Sequence, residues 1–354
     1  MNILFSPLKI KNTTFKNRMV VSPMCMYSCV DGYANDWHLV HLGSRAVGGN
    51  ALIIQEATAV SPEGRISYGD MGIWNDDHII KPREIVHFVH SQKALMGIQL
   101  AHAGRKASHH LPLDGAKKIA PDHRNGWQTV SSSALPFRED EAPPVALDAE
   151  GIDKVKNDYR DATIRAEKAG YDVVEIHAAH GYLFHQFYSP LANERTDKYG
   201  GSFENRIRLL LEVTEIVRDV WPDEKPLFVR ISATDWTEGG WTVEDSVKLA
   251  VELKKRGVDL IDTSSGGNVP KATIPSEPGY QVEFAAQIKK EANILTGAVG
   301  QITSAAQSEE ILKEGKADLI LYGRESLRDP YLPFHAADEL NVDVNWPLQY
   351  QRAK

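Results

Sequence analysis

The hexapeptide His177-Ala178-Ala179-His180-Gly181-Tyr182 sets two imidazoles three positions apart and a phenol two further on. Three chemistries fit that spacing: a pair of metal ligands, histidines satisfied within a core, or hydrogen-bond donors around one small ligand with the phenol as proton donor. A metal needs a third ligand. Glu56 is the nearest acidic candidate, so a metal-dependent hydrolase built on His177 and His180 stays open but short of ligands. Arg230 lies inside an apolar run, where a cation is costly unless an anion faces it; that anion is either a carboxylate such as Glu175 or part of a ligand. Cys25, in Ser22-Pro23-Met24-Cys25-Met26-Tyr27, is either a small inert core residue or a modulator of a redox ligand. Gly297, Gly300 and Gly323, the last beside Arg324, either permit tight turns or offer backbone N–H groups and a guanidinium to a phosphate.

The elements that position these residues follow from periodicity. Short aliphatic or β-branched runs predict eight strands, over 18–22, 51–56, 96–101, 172–177, 227–232, 259–264, 293–297 and 318–322. Amphipathic stretches predict helices after them, over 36–47, 82–95, 148–169, 203–220, 243–256, 282–291, 305–314 and 333–340. Eight alternations with near-continuously apolar strands favour a parallel sheet closed into a (β/α)8 TIM barrel over a doubly wound sheet. In such a barrel the chemistry sits at the ends of the strands, where the His177, Cys25 and glycine motifs fall while Arg230 lies within strand five, and the loops after strands seven and eight suit a phosphate. Residues 105–147, rich in Pro, Ser, His and charge, hold no convincing helix and read as a lid-like excursion after strand three.

Residues 1–354 are expected to form one domain, ending in the tail 341–354. With 42% apolar and 25% charged residues the composition is that of a folded globular protein. A net charge of −8 without long blocks of one sign argues against nucleic acid or an anionic membrane surface as partner. No apolar run approaches a membrane span, and residues 1–12 lack the apolar stretch of a signal peptide, which points to the cytoplasm. Cys25 and Cys29 are the only cysteines, too few for a disulfide scaffold or a four-cysteine zinc or iron–sulfur site.

The motifs together resemble the Old Yellow Enzyme family of FMN-dependent ene-reductases, in its bacterial thermophilic-like class. The resemblance runs from Leu4-Phe5-Ser6-Pro7-Leu8 and Asn17-Arg18, through the Cys25 motif, Gln99-Leu100-Ala101-His102-Ala103-Gly104-Arg105 and the His177 motif, to Gly323-Arg324 and Gln349-Tyr350-Gln351-Arg352. Its most specific piece is Asp197-Lys198-Tyr199-Gly200-Gly201-Ser202-Phe203-Glu204-Asn205-Arg206. Cys25 and His180, where many relatives carry Thr and Asn, resemble the thermophilic-like class.

The resemblance implies FMN across the barrel mouth, its phosphate at Gly300, Gly323 and Arg324, its ring met by Ser22, Pro23, Met24, Cys25, Ala57, Gln99 and Arg230. It implies NADPH or NADH as reductant and an α,β-unsaturated carbonyl or nitro compound as substrate, reduced in a ping-pong sequence. His177 and His180 would hold the carbonyl oxygen, Tyr182 would give the proton, and Tyr27, Ile66 and Arg352 would line the substrate, Arg352 reaching from the second copy of a homodimer or dimer-based oligomer. A non-catalytic flavin-binding barrel is the remaining alternative. Iron–sulfur dienoyl-CoA or amine dehydrogenase relatives are disfavoured by the missing cysteine cluster.

Overall fold

In the computed structural model, which describes residues 2–354, eight parallel strands close into a barrel. They are β1 Met19–Val21, β2 Leu52–Ala59, β3 Leu95–Ala101, β4 Val173–Ala178, β5 Leu227–Ser232, β6 Leu260–Ser264, β7 Leu295–Ala298 and β8 Leu319–Tyr322. β8 returns to β1 with Ile320 opposite Met19 and Tyr322 opposite Val21, which closes the ring. Eight helices pack outside it: α1 Asp36–Val47, α2 Ile80–Ser91, α3 Ala149–Ala169, α4 Phe203–Val220, α5 Val243–Lys255, α6 Val282–Ala292, α7 Ala305–Lys313 and α8 Leu332–Glu339. The fold is the (β/α)8 TIM barrel that the alternation of patterns predicts.

Local chemistry sets the helix ends. Asn35, Asp148, Ser202 and Thr242 cap α1, α3, α4 and α5 with side-chain acceptors. Gly170 at φ +94° ends α3, and Asn293 at φ +50° ends α6, so the predicted strand at 293–297 begins only at Leu295. The helix expected over 82–95 is Ile80–Ser91 instead, because Lys93 takes φ +56° and Leu95 already pairs with Leu52. β2 outruns its expected end at residue 56. A bulge leaves Glu56 without a partner while Ala57 pairs with Gln99, and the freed carboxylate accepts the Met26 N–H (2.9 Å) and lies 3.4 Å from His38 Nε2.

Inside the barrel the lower layer is apolar: Val20, Leu52, Ile54, Val173, Phe228, Leu260, Leu319 and Leu321. A hairpin of Leu8–Ile10 and Thr13–Phe15, absent from the sequence expectations, adds buried Ile10 and Phe15 to the same cluster. Phe15 stacks on Phe228 at 6.3 Å. Gly297 belongs to this packing, since a Cβ there would come within 2.3 Å of Leu321; its turn or phosphate reading gives way to a steric one. Above the apolar layer lie Gln99, Glu175, Arg230 and Asp262.

The excursion 105–147 contains short 3-10 turns and one parallel pair, Val130–Ser131 with Val145–Ala146. Ser131 and Ser132 hydroxyls donate to Gln186 Oε1 and O (both 2.8 Å), and Arg195 Nη1 donates to Ser132 O (2.9 Å) and Leu147 O (2.7 Å). The long motif at 197–206 is structural in the same way. Asp197 pairs with Arg195, Asn205 donates to Gly200 O (3.0 Å) and Arg206 to Tyr188 O (2.9 Å), fixing the turn that starts α4.

Candidate active site

Most of the residues singled out from the sequence lie at or near the ends of the strands; Gly297, packed in the lower layer, and Arg352, outside the barrel, do not. His177 is the penultimate residue of β4, and the chain then reverses through His180 (φ +59°) and Gly181 (φ +73°). Gly181 has no substitute there, because a Cβ would come within 2.2 Å of Gly267 O and 2.7 Å of Asn268 Cα. The turn is fastened from below. His185 Nδ1 accepts the Gly181 N–H (2.9 Å), and its Nε2 meets Asp235 (2.8 Å), whose carboxylate is held down to about 2 by His185, Ser189 and the Trp241 N–H despite its burial.

The three rings of the motif then pack edge to face. His180 lies 5.2 Å and Tyr182 5.0 Å from the His177 centroid. Burial, reinforced by nearby Arg230, pushes both histidines well below the usual imidazole range, so both rings are neutral. His177 Nδ1 accepts the Ala179 N–H (3.3 Å), which assigns its ring proton to Nε2 as a free donor. His180 Nε2 lies 2.7 Å from Ser264 Oγ on β6. Burial likewise holds Tyr182 in its protonated phenol form.

Tyr182 borders a cavity shared with Ala57, Gly64, Ile66, Asp70 and Ala101. Asp70 binds the loop carrying Ile66 through the Ile66 N–H (2.7 Å) and the Ser67 hydroxyl (2.6 Å), and burial pushes its carboxyl up to about 7. Lys106, overlooked in the sequence although it directly follows the Arg105 motif, donates to His180 O (2.8 Å) and Gly267 O (2.9 Å) with its ammonium 5.1 Å from the Tyr182 ring. Burial lowers it to about 7.

Ser22 and Pro23 are buried at the end of β1, Ser22 N–H bonding Tyr322 O (3.0 Å), and Met24, half-buried, is the nearest neighbour of Gly323. The Cys25 thiol, on a half-buried residue, is driven well above its ordinary value by desolvation and by Asp70 and Glu56; it is a thiol, not a thiolate. Gly300 takes φ +118°, with Gln281 Nε2 2.7 Å from where a Cβ would stand, while at Gly323 a Cβ would meet Met24 Sδ at an ordinary 3.9 Å. Arg324 is exposed and makes no ion pair with the described residues.

One expectation changes. Arg230 pairs directly with Asp262 (Nε to Oδ2, 3.1 Å) rather than with Glu175, because Asp262 is its register partner on β6, whereas Glu175 is engaged by Gln99 Nε2 (2.7 Å). Arg352 lies on an exposed turn, Leu348–Ala353, whose root packs outside the barrel: Trp346 stacks on Phe334 at 4.7 Å and Tyr350 contacts Tyr331. Among the described residues no three His, Cys, Asp or Glu side chains come together as a metal site.

Residues 3–343 match the model of the NADH:flavin oxidoreductase / NADH oxidase family. The chain is 51% identical over 352 residues to an NADPH dehydrogenase of Geobacillus thermodenitrificans (strain NG80-2), covering 99% of this chain and 98% of that protein. It is 48% identical to the NADPH dehydrogenase of Bacillus subtilis (strain 168), with the same coverage. Among solved structures it superposes on morphinone reductase with a TM-score of 0.80 at 30% identity, over 98% of this chain and 91% of that one. A 2-naphthoyl-CoA reductase matches at TM-score 0.86 and 27% identity over 95% of this chain, which spans only 52% of that longer protein. The chain therefore belongs to the NADH:flavin oxidoreductase family, the Old Yellow Enzyme family, and is an FMN-dependent oxidoreductase with NAD(P)H as its reductant.

Proposed function

We propose that the protein reduces the activated C=C bond of α,β-unsaturated carbonyl or nitro compounds, in a ping-pong sequence in which nicotinamide leaves before substrate enters. The observation that carries this reading is the trio His177, His180 and Tyr182: two neutral imidazoles and one phenol, with the His180 and Tyr182 rings 5.2 and 5.0 Å from the His177 ring by centroids and Tyr182 lining a small cavity. The names of morphinone reductase and 2-naphthoyl-CoA reductase among its structural neighbours agree with it.

The residues present fit FMN. Gly300 and Gly323 keep side chains out of the loops after β7 and β8, Arg324 offers an unpaired guanidinium, and Arg230, Gln99 and Ala57 form the floor with Ser22, Pro23, Met24 and Cys25 at one wall. Bound there, FMN supplies two-electron hydride chemistry.

His177 donates its Nε2 proton to the substrate oxygen, and His180 joins it once Nε2 accepts from Ser264, which frees Nδ1–H as the donor. Being neutral, both keep this donor capacity across ordinary pH, and one such preplaced donor is worth about 2.7–4 kcal/mol of barrier. Tyr182 delivers its phenolic proton to the α-carbon, with Lys106 holding the turn and standing over the ring. Cys25, an uncharged thiol, tunes the cofactor and is no nucleophile. Tyr27 and Ile66 shape the substrate space. A second copy of the chain completes it through the exposed Arg352, in a dimer-based assembly in the cytoplasm.

The test is transient kinetics of the pre-reduced holoenzyme. His177→Ala and His180→Ala slow reoxidation by cyclohexenone about 10²–10³-fold but leave reoxidation by dioxygen, which needs no carbonyl donor, unchanged. Parent rates with the enone in both variants overturn the assignment.

A further inference from the structure

The polar layer beneath the site holds one cation and two carboxyl groups in a space closed to water. Glu175 and Asp262 are both 0% exposed, and Arg230 is 6% exposed. With both acids ionised, the layer would carry a net negative charge inside the barrel, a costly arrangement. The hydrogen bonds show the same imbalance. Arg230 Nε and Asp262 Oδ2 are 3.1 Å apart, close enough to attract but misaligned, so neither Asp262 oxygen has a hydrogen-bond donor. Glu175 Oε1 accepts from Gln99 (2.7 Å), while Oε2 is left without a partner.

A single proton resolves both problems. Placed on Glu175 Oε2, it balances the charge, gives that oxygen a hydrogen bond to make, and gives Asp262 a donor. We propose that Glu175 is an uncharged carboxylic acid donating to Asp262, and that Asp262 is thereby the sole carboxylate orienting and partly neutralising Arg230 beneath the cofactor ring. Burial raises both carboxyls; the neighbouring Asp262 raises Glu175 further, while Arg230 and Glu175 hold Asp262 down, in line with this placement of the proton. Glu175 and Asp262 are positioning residues: they act on the cofactor through Arg230, and the inference rests on the reading that places Arg230 against FMN.

The consequence is a division of labour between two acids of the same layer. Replacing Asp262 removes the anion that offsets Arg230, so more positive charge is left for the reduced, anionic cofactor. Replacing Glu175 by its amide removes no charge.

The experiment uses the FMN-loaded protein and two isosteric variants. Infrared spectroscopy should find the carbonyl stretch of a protonated carboxylic acid in the parent and lose it in Glu175→Gln, a measurement needing neither turnover nor Asp262. Redox titration should move the FMN midpoint potential to more positive values in Asp262→Asn and leave it in place in Glu175→Gln. Absence of the band, or a positive shift in Glu175→Gln as large as in Asp262→Asn, means both acids are ionised and overturns the proposal while Arg230 still faces the ring. A band that is present and assigned, with a potential that does not move in Asp262→Asn, overturns instead the link from Arg230 to the cofactor.

Discussion

Substituting Gly181 by alanine tests whether the placing of the His180–Tyr182 turn limits catalysis, because the perturbation is one methyl group with a known obstacle. At φ +73° the alanine Cβ would stand 2.2 Å from Gly267 O and 2.7 Å from Asn268 Cα, both backbone atoms that cannot rotate away. An unstrained C···O contact is about 3.3 Å, so the turn must retreat by roughly 1 Å. It must also hold a left-handed alanine at a cost of about 1–2 kcal/mol. His180 and Tyr182 flank the glycine and move with it, and a misplacement of about 1 Å costs on the order of 10²-fold in rate. Stopped-flow reoxidation of reduced Gly181→Ala should therefore be about 100-fold slower with cyclohexenone, with dioxygen reoxidation and FMN content unchanged and a lower thermal midpoint. A variant that keeps parent enone kinetics despite that loss of stability would refute the argument that the position of this turn sets the rate.

Arg324→Ala should weaken FMN, since a charge-assisted hydrogen bond to phosphate contributes about 1.5–3 kcal/mol; fluorescence titration of the reconstituted protein measures the fall, and an unchanged Kd removes Arg324 from the phosphate site. Arg352→Ala should raise KM for the enone more than it lowers FMN content, and truncation after Asn345 should weaken dimers by sedimentation; a monomeric parent with unchanged Arg352→Ala kinetics excludes the shared site. Burial holds His102 to about 4, so the folded state resists its protonation while the unfolded chain does not. The stability from neutral His102 is complete above about 6.5 and is lost as pH falls toward about 4, so the stability gap between the parent and His102→Gln in thermal melts should narrow on acidification across that window. A gap constant with pH contradicts the shift.

The barrel was legible because its determinants are local. Apolar runs alternate with amphipathic stretches, and caps such as Ser202 and Thr242 are written beside the helices they start. The His177 turn, the Cys25 segment and the glycines after β7 and β8 could be placed at one end of the molecule because a barrel strand delivers whatever follows it to the same rim. The hairpin at residues 8–15 escaped notice because three-residue strands carry too little pattern to register.

What required tertiary structure was pairing across strands. Sequence spacing shows that Arg230 is enclosed but not which acid meets it, and register chose Asp262 over Glu175. The same holds for Gly297, whose necessity comes from a leucine on the next strand, and for Lys106, whose partners lie 74 and 161 residues away. The protonation states of His177, His180 and Cys25 belong to this second group as well. The residue types are inscribed in the chain, but desolvation and neighbouring charge decide their chemistry, and both exist only once strands distant in sequence have closed around them.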